Sequence, residues 1–279
     1  MTEKQIYEYS LFYYPYSNSP AWVQWFIKVA PLKVNRSLQI LKRYKKKNAK
    51  VLDFGCGIGF NIPFIASVFP NVVGIDTDKP SVKIALKQLK KLQYDKKILH
   101  YNGERLPFKK NSFDIVIAND VWEHTKDPRL MIKEIYRVIK PDGVFLINTP
   151  NKLWPIETHY KLPFLSYLPK QIANQYVQLM KKADSYDDIN LPTYNTFKKS
   201  VGEFFHLDNI TFDLVKNYKK NKLDKERGLL IPLLGNFLNF IEQDSRFSFF
   251  HRGIMEILNT VSMGWFFVGH PKKKTLKNL

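Results

Sequence analysis

A single cysteine, Cys56, stands in 279 residues. No internal disulfide can form, which suits a reducing compartment, so a cytoplasmic setting is expected. Long apolar runs are missing too. Nothing approaches the roughly 18–20 apolar residues that cross a bilayer, and the longest stretch, LLIPLLGNFLNFI, is broken by Pro232, Gly235 and Asn236. The opening MTEKQIYEYSLFYYP has no apolar segment behind a basic one, so no secretory leader is expected. Internal repeats, low-complexity tracts and Gly/Ser linkers are also absent. Acidic residues are scarce: 25 Asp and Glu face 44 Lys and Arg, a net charge of +19. The sharpest basic run is KRYKKKNAK, residues 42–50. Such a run suits RNA phosphates or anionic lipid head groups, or is simply a solvated helix end.

What is present is a globular composition, 44% hydrophobic and 25% charged, with length enough for a large core. From about 48 to 150, short β-rich runs alternate with helical periods. AKVLDFG, NVVGID, KILHYNG, FDIVIAN and GVFLINTP read as strands. NIPFIASVFP, SVKIALKQLKKLQ and PRLMIKEIYRVIK read as helices, the second with Val82, Ile84, Ala85, Leu86, Leu89 and Leu92 as a broad apolar stripe and the last ended by PDG. This alternation predicts an α/β fold, a doubly wound parallel sheet with helices on both faces. After Thr149 the rhythm changes. An aromatic and proline-rich segment turns helical, NTFKKSVGEFF reads as a helix, NITFDLVKNY as a strand, and GWFFVGHP as a final strand. RGLLIPLLGNFLNFIEQ and FHRGIMEILNTV read as a helical pair set between the last two strands. The expected organisation is an N-terminal aromatic and basic helical segment at 1–47, a core at 48–150, an insertion at 151–195, and completion of the sheet over 196–279 with a helical insertion at about 220–260.

Three of the twelve glycines fall in VLDFGCGIGF, at Gly55, Gly57 and Gly59. A strand ending in alternating glycines and leading into a helix puts bare backbone at the carboxyl edge of the sheet, where doubly wound folds bind ligands. The helix start then offers free N–H groups to an anionic end. The dinucleotide pattern G-x-G-x-x-G fails, because Phe60 occupies its last position. Asp76 ends the second strand, 17 residues after Gly59. Its acceptor-only fork can take both hydroxyl protons of a ribose, with Asp78 the alternative. Asn102, or the backbone of Gly103 and Glu104 after the third strand, would meet an adenine edge.

In these blocks, with LPFKKNSFDIVIANDVWEH and EIYRVIKPDGVFLINTPN in the expected order, the chain resembles the class I S-adenosylmethionine-dependent methyltransferases over about residues 48–150. The resemblance implies a Rossmann-like seven-stranded sheet, mostly parallel with an antiparallel edge strand, binding S-adenosyl-L-methionine. It implies that Gly55, Gly57 and Gly59 form the loop beside the methionine moiety, that Asp53 supports that loop, and that Asp76 takes the ribose. Asn102 stands where the family often has Asp, and Asn119 would line the pocket.

Methyl transfer needs an acceptor aligned with the sulfonium methyl, and a base when the acceptor is a weak nucleophile. His124, in NDVWEHTKDP after the fourth strand, is the leading base, and His159, in an aromatic segment after the fifth strand, is a second catalytic candidate. Asp120, Glu123 and His124 form D-x-x-E-H. This is similar to the E-x-x-E-H of ubiquinone-pathway and small-RNA methyltransferases, which implies a divalent metal. Asp120 has a shorter arm than the Glu it replaces, so no metal ligand is assigned. The expected acceptor is a small or lipid-linked molecule, a sugar or prenylated ring hydroxyl, handled by a protein that can rest peripherally on an anionic membrane. An RNA acceptor, argued from charge alone, and an inactive binding protein on the same fold are the alternatives.

Overall fold

The computed structural model describes residues 2–11, 20–243 and 248–273. Two helices come first, α1 (Glu3–Ser10) and α2 (Pro20–Leu41). The alternating unit follows as β1 (Lys50–Phe54), α3 (Ile62–Val68), β2 (Asn71–Asp76), α4 (Lys79–Lys91), β3 (Lys97–His100), β4 (Phe113–Asn119), α5 (Pro128–Val138) and β5 (Ile139–Pro150). Beyond it lie α6 (Lys170–Leu179), α7 (Tyr194–Gly202), β6 (Phe205–Asn209), α8 (Thr211–Lys216), α9 (Tyr218–Asn221), α10 (Leu223–Arg227), α11 (Leu230–Gln243), α12 (Ser248–Val261) and β7 (Gly264–Pro271).

The seven strands form one sheet in the order β3-β2-β1-β4-β5-β7-β6. β1 to β5 pair in parallel. β7 runs antiparallel to both β5 and β6, so the antiparallel strand lies one place in from the edge. The order reverses at β1 and β4, which opens a crevice at their carboxyl ends. β4 is buried along Phe113–Ala118, as a central parallel strand should be.

Alternation along the strands sorts the core into two layers. Val51, Ile115, Ile117 and Leu146 face one side, against residues of α2, α3, α4, α8 and α11. Leu52, Val116, Ala118, Phe145 and Ile147 face the other, against α5 and α7. α5 shows the local logic. Asp127 caps it by accepting the Leu130 N–H at 2.9 Å, and Pro128 opens it. Met131, Ile132, Ile135 and Val138 are then buried on one stripe, a gross gain of about 6–12 kcal/mol at ~1.5–3 kcal/mol per side chain.

Three expectations are corrected. NITFDLVKNY is not a strand: the strand ends at Asn209, whose Oδ1 accepts both the N–H and the hydroxyl of Thr211, and that turn starts α8. PDG does not end α5 and precede a separate strand: α5 stops at Val138 and β5 runs from Ile139 through Pro141, with a register shift opposite Phe113 and Ile115 that accommodates the proline. Leu86, expected in the apolar stripe of α4, is 46% exposed, and Val82, Ala85 and Leu89 carry the buried face.

Part of the aromatic N-terminal segment, residues 12–19, lies outside the described residues, as do residues 244–247 of the helical insertion. Of the remainder, Tyr9 of α1 and Phe26 of α2 pack edge-on against Phe60, at 5.6 and 4.8 Å between ring centroids. The residue that spoils the dinucleotide fingerprint therefore anchors the N-terminal helices over the glycine loop.

Candidate functional site

The glycine loop follows β1, with Gly55, Gly57 and Gly59 at φ of +71°, +51° and +77°. A side chain is refused for different reasons along it. A Cβ at Gly55 would lie 2.5 Å from Val121, and one at Gly59 2.9 Å from Ala85. A Cβ at Gly57 would meet nothing within 4 Å, so this stretch of backbone faces open space. The loop is tied down from β2: Asp76 Oδ2 accepts the Gly57 N–H at 2.7 Å, and Asp76 Oδ1 accepts the Asp78 N–H at 2.8 Å. Each carboxylate oxygen keeps a lone-pair direction for a further donor. Asp78 is occupied elsewhere, capping α4 through Ser81 N–H at 3.0 Å. Asp76 is thus the carboxylate here with acceptor directions open to a diol.

Below the loop, Asp53 is buried and its Oδ2 has no hydrogen-bond partner among the described residues. Burial and the nearby Asp76 push its pKa up to about 7. An orphaned carboxylate oxygen beside bare backbone fits a ligand that brings a positive charge, as an amino-acid ammonium does. Asn102 and Glu104 are exposed and bonded to each other, Asn102 Nδ2 to Glu104 at 3.1 Å and Glu104 N–H to Asn102 Oδ1 at 3.1 Å. Between them Gly103 turns at φ +88°. Tyr101 N–H donates to Asp76 O at 3.1 Å, which holds this turn against the end of β2. Asn119 donates to Ser37 Oγ at 3.3 Å, while its own Oδ1 is buried without a hydrogen-bond partner among the described residues.

The other half of the site lies past β4 and β5. Asp120 turns the chain at φ +53° and bonds Asn148 in both directions, each at 3.0 Å. Lys33 of α2 meets its carboxylate at 2.7 Å. Burial alone would raise the Asp120 pKa, but Lys33 outweighs it and the group is lowered. A 3-10 turn, Trp122–His124, then buries Glu123 and presents His124 to solvent. Glu123 Oε2 accepts the Thr149 hydroxyl at 3.2 Å, whereas Oε1 has no hydrogen-bond partner among the described residues. Burial and Asp120 push Glu123 up to about 7.

His124 and His159 meet edge-on, 5.3 Å between ring centroids. The two catalytic candidates, 35 residues apart in sequence, thus share one site. Their charges are set apart. Partial desolvation, then the neighbouring His159, lowers His124. Burial would also lower His159, but its Nδ1 sits 2.7 Å from Glu157 Oε1 and the pair raises it. Glu157 is itself buried and accepts the N–H groups of His159 at 2.8 Å and Tyr160 at 2.6 Å. With Nδ1 held, His159 Nε2 points towards Glu123 Oε1 at 3.9 Å.

Glu123, His124 and His159 each offer one ligand atom, all within 4.8 Å of one another. The donor set of one carboxylate and two imidazoles, with Glu123 Oε1 unpaired and His159 oriented by Glu157, fits a divalent cation. Asp120, the first member of D-x-x-E-H, is instead engaged by Lys33 and Asn148. Sequence reasoning did not reach Lys33, Thr149, Asn148 or Glu157. Only Glu157 left a local trace, as the acid two positions before His159 in IETHY.

Residues 52–147 match the family described as a methyltransferase domain. A probable S-adenosylmethionine-dependent methyltransferase of Mycolicibacterium smegmatis is 36% identical over 103 residues, 37% of this chain and 38% of that protein. The demethylmenaquinone methyltransferase of Lactococcus lactis is 33% identical over 150 residues, 50% of this chain and 60% of that protein. The chain therefore spans less than two thirds of these relatives. A crystal structure from Pyrococcus horikoshii shares the fold, with a TM-score of 0.54 and 18% identity over 95% of this chain and 99% of that one.

Proposed function

Residues 52–147 form a class I S-adenosylmethionine-dependent methyltransferase domain, and on that premise we propose that the chain transfers a methyl group from S-adenosyl-L-methionine to a hydroxyl of a small or lipid-linked acceptor. The observation that carries it is the cradle of open Gly57 backbone, the Asp76 fork and the unpartnered Asp53 carboxylate, facing a second cluster built on His124 and His159. Bound there, the cofactor supplies an activated sulfonium methyl. An acceptor oxygen forms the new bond to the methyl carbon as the carbon–sulfur bond breaks, and its electron pair stays on sulfur. The acceptor proton goes to His124, whose pKa is lowered by desolvation and by the neighbouring His159, while Glu157 favours the charged form of His159. Transfer of labelled methyl to a lysate acceptor tests the reading. Absence of transfer together with absence of S-adenosylhomocysteine binding would overturn it.

The role of His124 has its own signature. A base whose pKa lies below the ordinary ~6.5 is neutral above that value, so kcat/KM rises with pH on a limb below about 6.5 and is flat at neutrality. His124→Gln is expected to lower kcat by ~10²–10⁴ and to remove the limb. A chelator separates this from a ligand role. Unchanged activity after chelation supports the base. Loss restored by a divalent cation assigns Glu123, His124 and His159 to a metal that would supply positive charge beside the acceptor oxygen.

The lipid-linked acceptor is supported by the surface of α11. Leu230, Leu233 and Phe237 follow one another along one exposed stripe, extended by Leu229 before it, with exposures of 47–86%. Exposed Lys219, Lys220, Lys222 and Lys225 precede it. Apolar side chains beside a lysine cluster suit the interface of an anionic membrane, at about 1 kcal/mol per lysine. No helix among the described residues is long and apolar enough to cross a membrane. Vesicles of phosphatidylcholine and phosphatidylserine should sediment the protein at low salt, and Leu233→Asp should abolish that. Equal sedimentation of the variant, or none of the parent protein, would remove the membrane face.

A further inference from the structure

We infer that Tyr9 completes the cofactor site, its hydroxyl binding the carboxylate of the methionine moiety together with the Ile58 N–H. This deepens the methyl-transfer reading and rests on it. Asp53 and Asp76 supply acceptors for the ammonium and the ribose, but the anionic end of S-adenosyl-L-methionine needs donors. The glycine loop has few to spare. Gly55 and Cys56 both donate to Ile75 O, at 2.8 and 3.1 Å, and Gly59 donates to Cys56 O at 2.9 Å. Gly57 donates to Asp76 Oδ2 at 2.7 Å. Of the five N–H groups from Gly55 to Gly59, that of Ile58 has no acceptor among the described residues. A carboxylate has about four lone-pair directions, so one N–H leaves most of it unanswered.

The second donor comes from α1. Ile58 and Phe60, on either side of Gly59, are buried with Ile6, Tyr9 and Phe26 in one apolar cluster. The Tyr9 ring meets Phe60 edge-on, 5.6 Å between centroids, and the ion pair of Glu8 with Lys91 at 2.5 Å fastens α1 to the end of α4. Tyr9 is 1% exposed, and its hydroxyl is buried with no hydrogen-bond partner among the described residues. Filling an apolar cluster needs the ring and not the hydroxyl, and an unpaired buried hydroxyl carries a cost that phenylalanine would avoid. A ligand oxygen removes that cost. Other donors on this flank are spent: Ser10 Oγ on Tyr7 O at 2.6 Å, Lys91 on Glu8, and Lys33 on Asp120. Burial raises the Tyr9 pKa without a contribution from any described carboxylate. The group therefore stays a donor, and no negative charge of the described residues stands beside it to repel an anion.

Calorimetric titration of the full chain with S-adenosylhomocysteine, and with its decarboxylated analogue that keeps the adenosine and the amine, tests the contact. Tyr9→Phe should bind S-adenosylhomocysteine about tenfold or more weakly than the parent protein does, and bind the analogue within about threefold of it. The melting temperature of the ligand-free variant should not fall, because the ring stays and an unpaired hydroxyl goes. Unchanged S-adenosylhomocysteine affinity in Tyr9→Phe would overturn the proposal. Equal weakening towards both compounds would overturn it too, since the hydroxyl would then act by packing α1 on the loop and not on the carboxylate. A lowered melting temperature would do the same, by showing that the hydroxyl is already satisfied within the chain. Each of these results leaves the Asp76 cradle standing. Failure of the parent protein to bind S-adenosylhomocysteine would instead strike the underlying methyl-transfer reading.

Discussion

Replacing Asp76 by alanine is expected to weaken S-adenosylhomocysteine binding by on the order of 100-fold or more, which corresponds to at least about 3 kcal/mol. Two effects add. The ribose hydroxyls lose charge-assisted bonds of ~1.5–3 kcal/mol each. The loop also loses its tie, since Asp76 now holds the Gly57 N–H at 2.7 Å and the Asp78 N–H at 2.8 Å. Asp76→Asn separates the two, because one amide oxygen still accepts from the loop while the fork becomes half donor. It should fall between the parent protein and the alanine variant. Calorimetry reads both, with melting temperature as the folding control. An Asp76→Ala protein that is folded and binds within about threefold of the parent would show that the diol is held elsewhere.

Glu226→Gln should destabilise the protein by about 3–5 kcal/mol, because it leaves a cation without its counter-charge in the interior. Arg36 and Glu226 have side chains only 1% and 2% exposed and face each other directly. Burial would raise Glu226, but Arg227 and Arg36 hold it below the usual carboxylate range. Once the charge is gone, Arg36 keeps, among the described residues, neutral partners: the Asn221 carbonyl at 3.3 Å, the face of Phe266 at 5.9 Å and the amide oxygen of the new side chain. The pair joins α2 to α10, and Arg227 next to it pairs with the other Glu226 oxygen at 2.9 Å. Denaturant unfolding should therefore show a lower midpoint, with acceptor binding impaired before cofactor binding. A change below about 1 kcal/mol would mean that water or a shifted side chain compensates Arg36.

The local patterns account for the cofactor half of the site. Gly55, Gly57 and Gly59 are required by positive φ, and Asp76 by its place at a strand end next to them. Such features sit within a few residues of the backbone they serve, so a reader of the sequence finds them in order. The same holds for β1 to β5, where period-2 burial and helix caps are written side by side. The expectations that failed lay where neighbours compete. Asn209 turned a plausible strand into α8, and β5 absorbed Pro141 through a register shift.

The acceptor half belongs to tertiary structure. Lys33 meets Asp120 across 87 positions, Arg36 meets Glu226 across 190, and His159 faces His124 only because the segment after β5 folds back over the edge of β4. Nothing in the spacing of these residues encodes their meeting, since long-range ion pairs have no period. The sequence alone therefore determined the strand–helix alternation, the bare loop and the carboxylate fork, because backbone conformation and hydrophobic alternation are local. Which face α2 and α10 cover, and how the two histidines are set apart in basicity, were decided by packing, because desolvation and charge interaction depend on distance through space.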